Sequence, residues 1–226
     1  MPLPFDARQF FEAFARYNTA VWPAQIVLQL AALSAVVLAV RPHPGSDRAI
    51  GVILGGLWFW MGGVYHLVFF RLINPAANLF GALFLLEGML LLGLAGRRER
   101  LHFAWTPTTR GIVGAALLSY ALVLYPMLAY ALGHRYPATP TFGLPCPTTV
   151  LTLGLLAWAE PRRPWGVLVI PLLWSVVGAS AAVQLGVWED LGLVAAGGLT
   201  LALMLAPWPR AIPLPASASP RGAGPA

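Results

Sequence analysis

The chain contains no lysine: its fourteen Lys-plus-Arg positions are all arginine. That absence excludes any chemistry built on a lysine Schiff base, covalent attachment of retinal included. There is one cysteine, Cys146, so an intrachain disulfide is impossible, as is a metal site that needs two thiolates. Charge is scarce as well. Charged residues make up 10% of the 226 positions, and only eight residues are acidic. An ordinary soluble domain carries roughly 25% charged residues, and so sparse a set cannot cover a soluble surface. Catalytic motifs are missing too: no phosphate-cradling G-x-x-x-x-G-K-[ST] loop, no G-x-G-x-x-G at a strand-to-helix turn, no H-E-x-x-H and no G-x-S-x-G elbow. The four histidines are scattered without metal-ligand spacing. No catalytic residue is assigned, and no cofactor can be named.

What is present is apolar. Hydrophobic residues make up 58% of the chain, with nine Trp and six Tyr, rings that settle at membrane–water interfaces. A net charge of +6 can signal nucleic acid. Here, however, the arginines sit in short connections between apolar runs. That pattern makes the lipid bilayer the expected partner and excludes nucleic acid.

The first twenty residues lack a basic segment followed by a short apolar core and a cleavage site, which predicts no removable signal peptide. Asp6 and Gln9 have the spacing of a capping box. Phe10, Phe14 and Tyr17 then share one helical face, and Arg8, Glu12 and Arg16 another. An amphipathic helix lying in the interface is expected over 1–20. Seven apolar segments follow, near 21–40, 50–70, 76–95, 111–132, 145–159, 166–184 and 191–207. Most reach the about 20 residues that a span needs; the fifth is short. The fold class read from this is all-α: a polytopic bundle of seven spans over 21–207, then a disordered tail over 208–226.

The arginines test the fifth segment. With seven spans, Arg8, Arg16, Arg71 and Arg135 lie on one side and the other ten on the opposite side. If the fifth segment does not span, the split becomes eight to six and the bias disappears. The positive-inside rule therefore predicts seven spans, with the N-terminus outside and the C-terminus in the cytoplasm.

Under that topology, polar residues collect at the outer ends. They include Tyr17, Asn18, Gln25, Tyr65, His66, Asn74, Asn78, His134, Tyr136, Cys146, Gln184, Glu189 and Asp190. They form either an outward-facing pocket or a wetted interface. Glu87, in LFLLEGMLLL, lies about 16 Å into the third span by helical rise. A charge at the bilayer centre costs about 2.5–3.5 kcal/mol on insertion scales. Glu87 is thus a proton- or cation-linked carboxylate, or a neutral group bonded to a neighbouring helix. His66, in YHLVFF, is the best candidate for a metal or haem ligand or a proton relay; its plain alternative is a core histidine. Its depth differs from that of Glu87 by about 9 Å, too far for direct pairing. At the start of the fifth segment Cys146 reads as the N-cap and Pro147 as the first helical residue. Thr148 and Thr149 follow, at a helix terminus that favours an anion. A proline-rich turn with a small buried cysteine explains the same residues. Asn74 reads as the cap of the third span, with Pro75 at its first position.

The segments FFEAFARYNTAVWPAQ, YHLVFFRLINPAA and GLPCPTTVLTLGLL, in that order and spacing, resemble a family of uncharacterised bacterial polytopic membrane proteins, a domain of unknown function. The resemblance covers about residues 5–207. It implies a bacterial inner-membrane protein and supplies no activity.

Three functions compete. The first is a small-solute or ion transporter or channel-like protein, using His66, Asn78, Cys146, Thr148 and Thr149 near the outer end and Glu87 deeper, with a solute, ion or proton as cargo. The second is a membrane-embedded redox or metal protein with His66 as ligand and His134 or Cys146 as further candidates. The third is a scaffold or assembly subunit; oligomers are compatible with all three.

Overall fold

The computed structural model describes residues 3–96, 101–160 and 164–206. The tail over 208–226 lies outside the described residues, as do the arginines at 97, 98, 100, 162, 163, 210 and 221.

Helix α1 spans Ala7–Ala20 and opens with the anticipated capping box: the Asp6 carboxylate accepts from the Gln9 amide and the Gln9 side chain accepts from the Asp6 amide. Phe10, Phe14 and Tyr17 are buried, whereas Arg8, Glu12 and Arg16 are exposed. After an 89° bend the chain continues as α2, Ala24–Val40. Helix α3, Ser46–Trp60, runs on through a π-helical stretch, Met61–Phe69, and a last 3-10 turn, Phe70–Leu72, as one rod of 27 residues. Helix α4 is Ala77–Gly96. Helix α5, Thr109–Ser119, likewise passes through a π-helical stretch, Tyr120–Leu124, into α6, Tyr125–Ala131. Helix α7, Pro145–Ala157, precedes α8, Val169–Leu185, and α9, Gly192–Leu205, the last two entered through 3-10 turns at Trp165–Val167 and Trp188–Leu191.

Five of these rods are long and apolar enough to cross a membrane, and six if the bent α1–α2 pair counts as one. The apolar runs thus locate the helices, but the seventh crossing does not follow from length. Helix α7 has 13 residues, about 20 Å by helical rise against a hydrocarbon core of about 30 Å. Its position explains its composition. From Pro147 to Ala157 every residue is buried, because α5, α8 and α9 all pack around it. A helix apolar all round belongs in such a centre.

Two sequence expectations about helix starts are corrected. Helix α7 begins at Pro145 with Leu144 as its N-cap, not at Cys146. Proline suits the first position, and the second proline, Pro147, still falls in the first turn, where the amides have no intrahelical partner. Helix α4 begins at Ala77, two residues after Pro75; Asn74 instead closes the turn before it, its side-chain oxygen accepting from the Ala76 amide at 3.0 Å. The all-α reading also misses a two-residue antiparallel pair, His102–Phe103 with Ala159–Glu160. This pair sits at the end of the bundle opposite α1. There Asp47 accepts from the Phe103 amide at 2.9 Å and lies 3.1 Å from the His102 ring.

Helices α3 and α4 touch backbone to backbone at two glycines. A Cβ on Gly88 would lie 3.1 Å from the Gly55 carbonyl oxygen and 2.9 Å from Phe59, and a Cβ on Gly55 would meet Leu92 at 2.8 Å. Gly88→Leu is therefore expected to push the helices apart and cost at least about 1–3 kcal/mol. Gly56→Ala, with nothing within 4 Å of the added carbon, should be neutral. Thermal unfolding in detergent measures both.

The outside of the bundle is apolar and its inside is partly polar. Val176 is 70% exposed, and Val27 and Ile112 are each 65% exposed, whereas Glu87, His66 and Asn18 are fully buried. So much exposed aliphatic surface has no place in water; it faces lipid.

Candidate functional site

At the α1 end a cavity of about 100 Å³ lies between α1, the start of α7, and helices α6 and α8. The sequence explains its shape. The π-helical stretch in α3 widens the turn and shifts the register of the residues beyond it, and Tyr65 from that stretch reaches the cavity wall. The start of α7 brings in Cys146. The chain before and along α1 forms the roof through Leu3, Phe5, Phe10 and Phe14.

Asp190, from the turn before α9, is 3% exposed and lines the cavity. The Tyr125 hydroxyl donates to its carboxylate, and the Cys146 thiol approaches the same carboxyl. Its neighbour Glu189 is buried too. One Glu189 side-chain oxygen meets His134 Nδ1 at 2.7 Å, its backbone carbonyl accepts from the Tyr120 hydroxyl at 2.6 Å, and its second carboxylate oxygen has no partner. The Trp174 indole N–H faces the same thiol; a Cβ on Gly178 would lie 3.5 Å from that nitrogen and 3.8 Å from the Cys146 sulfur. A second recess of about 300 Å³ shares Tyr125 and Pro140 with the cavity and includes His134.

The loop over 137–144 closes this region, and Asn18 holds it. The Asn18 amide donates to the carbonyls of Pro137 and Thr139 at 2.6 and 2.8 Å, and its oxygen accepts from the Thr141 hydroxyl at 2.6 Å. The Tyr136 hydroxyl and the Gln25 amide both reach the Asn18 backbone carbonyl. Gly143, at φ +94°, turns the loop into α7 in a left-handed conformation that glycine tolerates.

Of the six candidates from sequence, Cys146 lines the cavity. His66 stands behind its wall. The His66 ring is fully buried, with both nitrogens unpartnered, and packs 5.2 Å from the Trp174 ring and 4.6 Å from Phe84, centroid to centroid. Glu87 lies three residues beyond Phe84 on α4, about one turn on. It is fully buried, and neither carboxylate oxygen has a partner. Thr148 and Thr149 are buried with unpartnered hydroxyls, deeper along α7 than the cavity. Asn78 stands apart: it is exposed and donates to the Pro75 carbonyl at 3.1 Å. Among the described residues, no three His, Cys, Asp or Glu side chains converge as a metal-ligand set. Tyr125, Trp174 and the convergence on Asp190 had no local sequence signal beyond the rarity of acidic residues.

Lipid-facing rods around a buried polar interior define a multi-pass helical membrane protein. The chain belongs to a family of unknown function, DUF6064, whose profile matches residues 7–210. No curated protein matches it, and neither does any solved structure.

Proposed function

We propose that the protein is a transporter or channel-like carrier of a small solute or ion, with the cavity under α1 as its binding site and way in. The observation that carries this reading is the convergence of Tyr65, Tyr125, Cys146, Trp174 and Asp190, from four different helical rods and the turn before α9, on one cavity. A mostly apolar pocket with a few convergent polar groups is the usual form of a small-molecule site. Buried polar groups that lack partners within a membrane bundle mark paths or sites, and His66 and Glu87 lie in sequence behind the wall of this one. The short α7, starting below the loop that covers it, resembles the broken helices on which transporters hold their cargo.

The proposed orientation is N-terminus outside and C-terminus in the cytoplasm of a bacterial inner membrane, with seven crossings and α1 in the outer interface. Helix α7 then completes its crossing with the loop over 137–144. A reporter active only outside the cytoplasm, fused to the C-terminus, is expected to be silent; activity there overturns this topology.

The transport test uses the purified chain in liposomes. Sodium, potassium, a small amine, a small carboxylate and a neutral polyol are offered in turn. One class is expected to enter, and Glu87→Gln to slow that entry by roughly tenfold or more. If no class enters and the protein carries stoichiometric metal or a visible absorption band, the redox or metal reading replaces this one. A stable complex with another protein in mild detergent, again without uptake, favours the scaffold.

A further inference from the structure

We propose that the ligand of the cavity under α1 is a small organic cation, an amine or quaternary ammonium. The inference rests on the preceding reading that this cavity binds a solute, and it adds the ligand's class and size.

The wall is aromatic. Tyr65, Phe70, Phe80 and Trp174 line the space together with Phe10 and Phe14 from α1. Their rings are held in place by mutual edge and face contacts, among them Tyr65 stacked on Phe70 at 5.4 Å and Phe80 against Trp174 at 5.3 Å, centroid to centroid. An aromatic cage of this kind attracts a cation through the negative faces of its rings, more strongly where water is excluded.

The one carboxyl in the wall is Asp190. Among the described residues no basic side chain pairs with it; the nearby His134 is taken by Glu189. Tyr125 and Cys146 satisfy part of its hydrogen-bonding capacity but bring no positive charge. The start of α7 contributes a positive pole, equivalent to roughly half an elementary charge. When ionised, Asp190 outweighs that pole and repels an incoming anion. A neutral solute leaves the carboxyl without a counter-charge. A cation supplies one and sits among the aromatic rings at the same time.

Size follows from volume. About 100 Å³, at roughly 30 Å³ for each water in the liquid, holds about three waters. That suits a compact amine and excludes a lipid or a peptide.

The test uses the full chain purified in detergent, with choline as probe, its neutral isostere 3,3-dimethylbutan-1-ol as the shape control, and acetate as the anion. Choline is expected to raise the melting temperature and to enter proteoliposomes, while the isostere and acetate do neither. Asp190→Asn keeps an oxygen to accept from Tyr125 and is expected to weaken the choline effect by roughly tenfold or more, as is Trp174→Leu. Should either variant fail to fold, the comparison of choline with its isostere on the parent chain decides alone. Equal stabilisation by both, or stabilisation by acetate and not choline, overturns the organic cation. Uptake of another solute class without any choline effect overturns it too while leaving the transport reading intact. If no solute class enters or stabilises the protein, both fall.

Discussion

Asn18→Asp is expected to cost about 3–5 kcal/mol, a large part of the roughly 5–15 kcal/mol that holds a typical fold together. The substitution keeps the shape of the side chain and reverses its meaning. Asn18 gives two N–H donors to the carbonyls of Pro137 and Thr139. Aspartate gives none and sets an oxygen against each. A carbonyl that loses its donor costs about 1–3 kcal/mol. These two sit in a partly exposed loop, which puts them at the lower end of that range. The fully buried side-chain site adds the cost of a carboxyl without a counter-charge. Thr141→Val removes only the bond to the Asn18 oxygen and should cost about 1 kcal/mol. Thermal unfolding in detergent compares the three proteins. Asn18→Asp within about 1 kcal/mol of the parent would mean that the loop is held by other contacts.

The second large effect concerns Glu87, and it has opposite signs for stability and function. Both carboxylate oxygens are buried without a partner. Replacing the side chain by leucine removes that burden and fills the same space, so Glu87→Leu is expected to stabilise the protein by about 1–3 kcal/mol. Uptake should be lost in Glu87→Leu and slowed in Glu87→Gln. A stability gain combined with loss of activity is the signature of a polar group kept for function. If Glu87→Leu destabilises the fold and Glu87→Gln transports normally, Glu87 is structural and the path does not run through it.

The helices were legible because an apolar run in a chain with 10% charge has few places to go. Their order and limits agree with the sequence reading to within a few residues. The capping box on α1 was legible because its two residues are three apart. The strut at Asn18 was not: its partners lie about 120 positions away, and nothing local marks an asparagine that bonds a distant loop. The same holds for Asp190 and Tyr125, which are 65 positions apart. The depth map drawn from sequence put Tyr65, Cys146 and Asp190 at one end of the bundle, but the register of Tyr65 in the cavity wall depends on a π-helical stretch, which carries no sequence signature. Asn78 lies apart from the cavity, exposed and bonded to the Pro75 carbonyl. Its type and position suited a pocket, and a helix start accounts for it.

Helix α7 has a consequence for how the protein is made. A span that inserts on its own must be stable with lipid on every side before it meets its neighbours. Helix α7 has neither the length for that nor a side left facing outward. Two of the three helices that enclose it, α8 and α9, are synthesised after it. Its place in the bilayer is therefore secured only when the last two helices close around it. A chain that stops short of α9 leaves α7 open on the side that α9 covers.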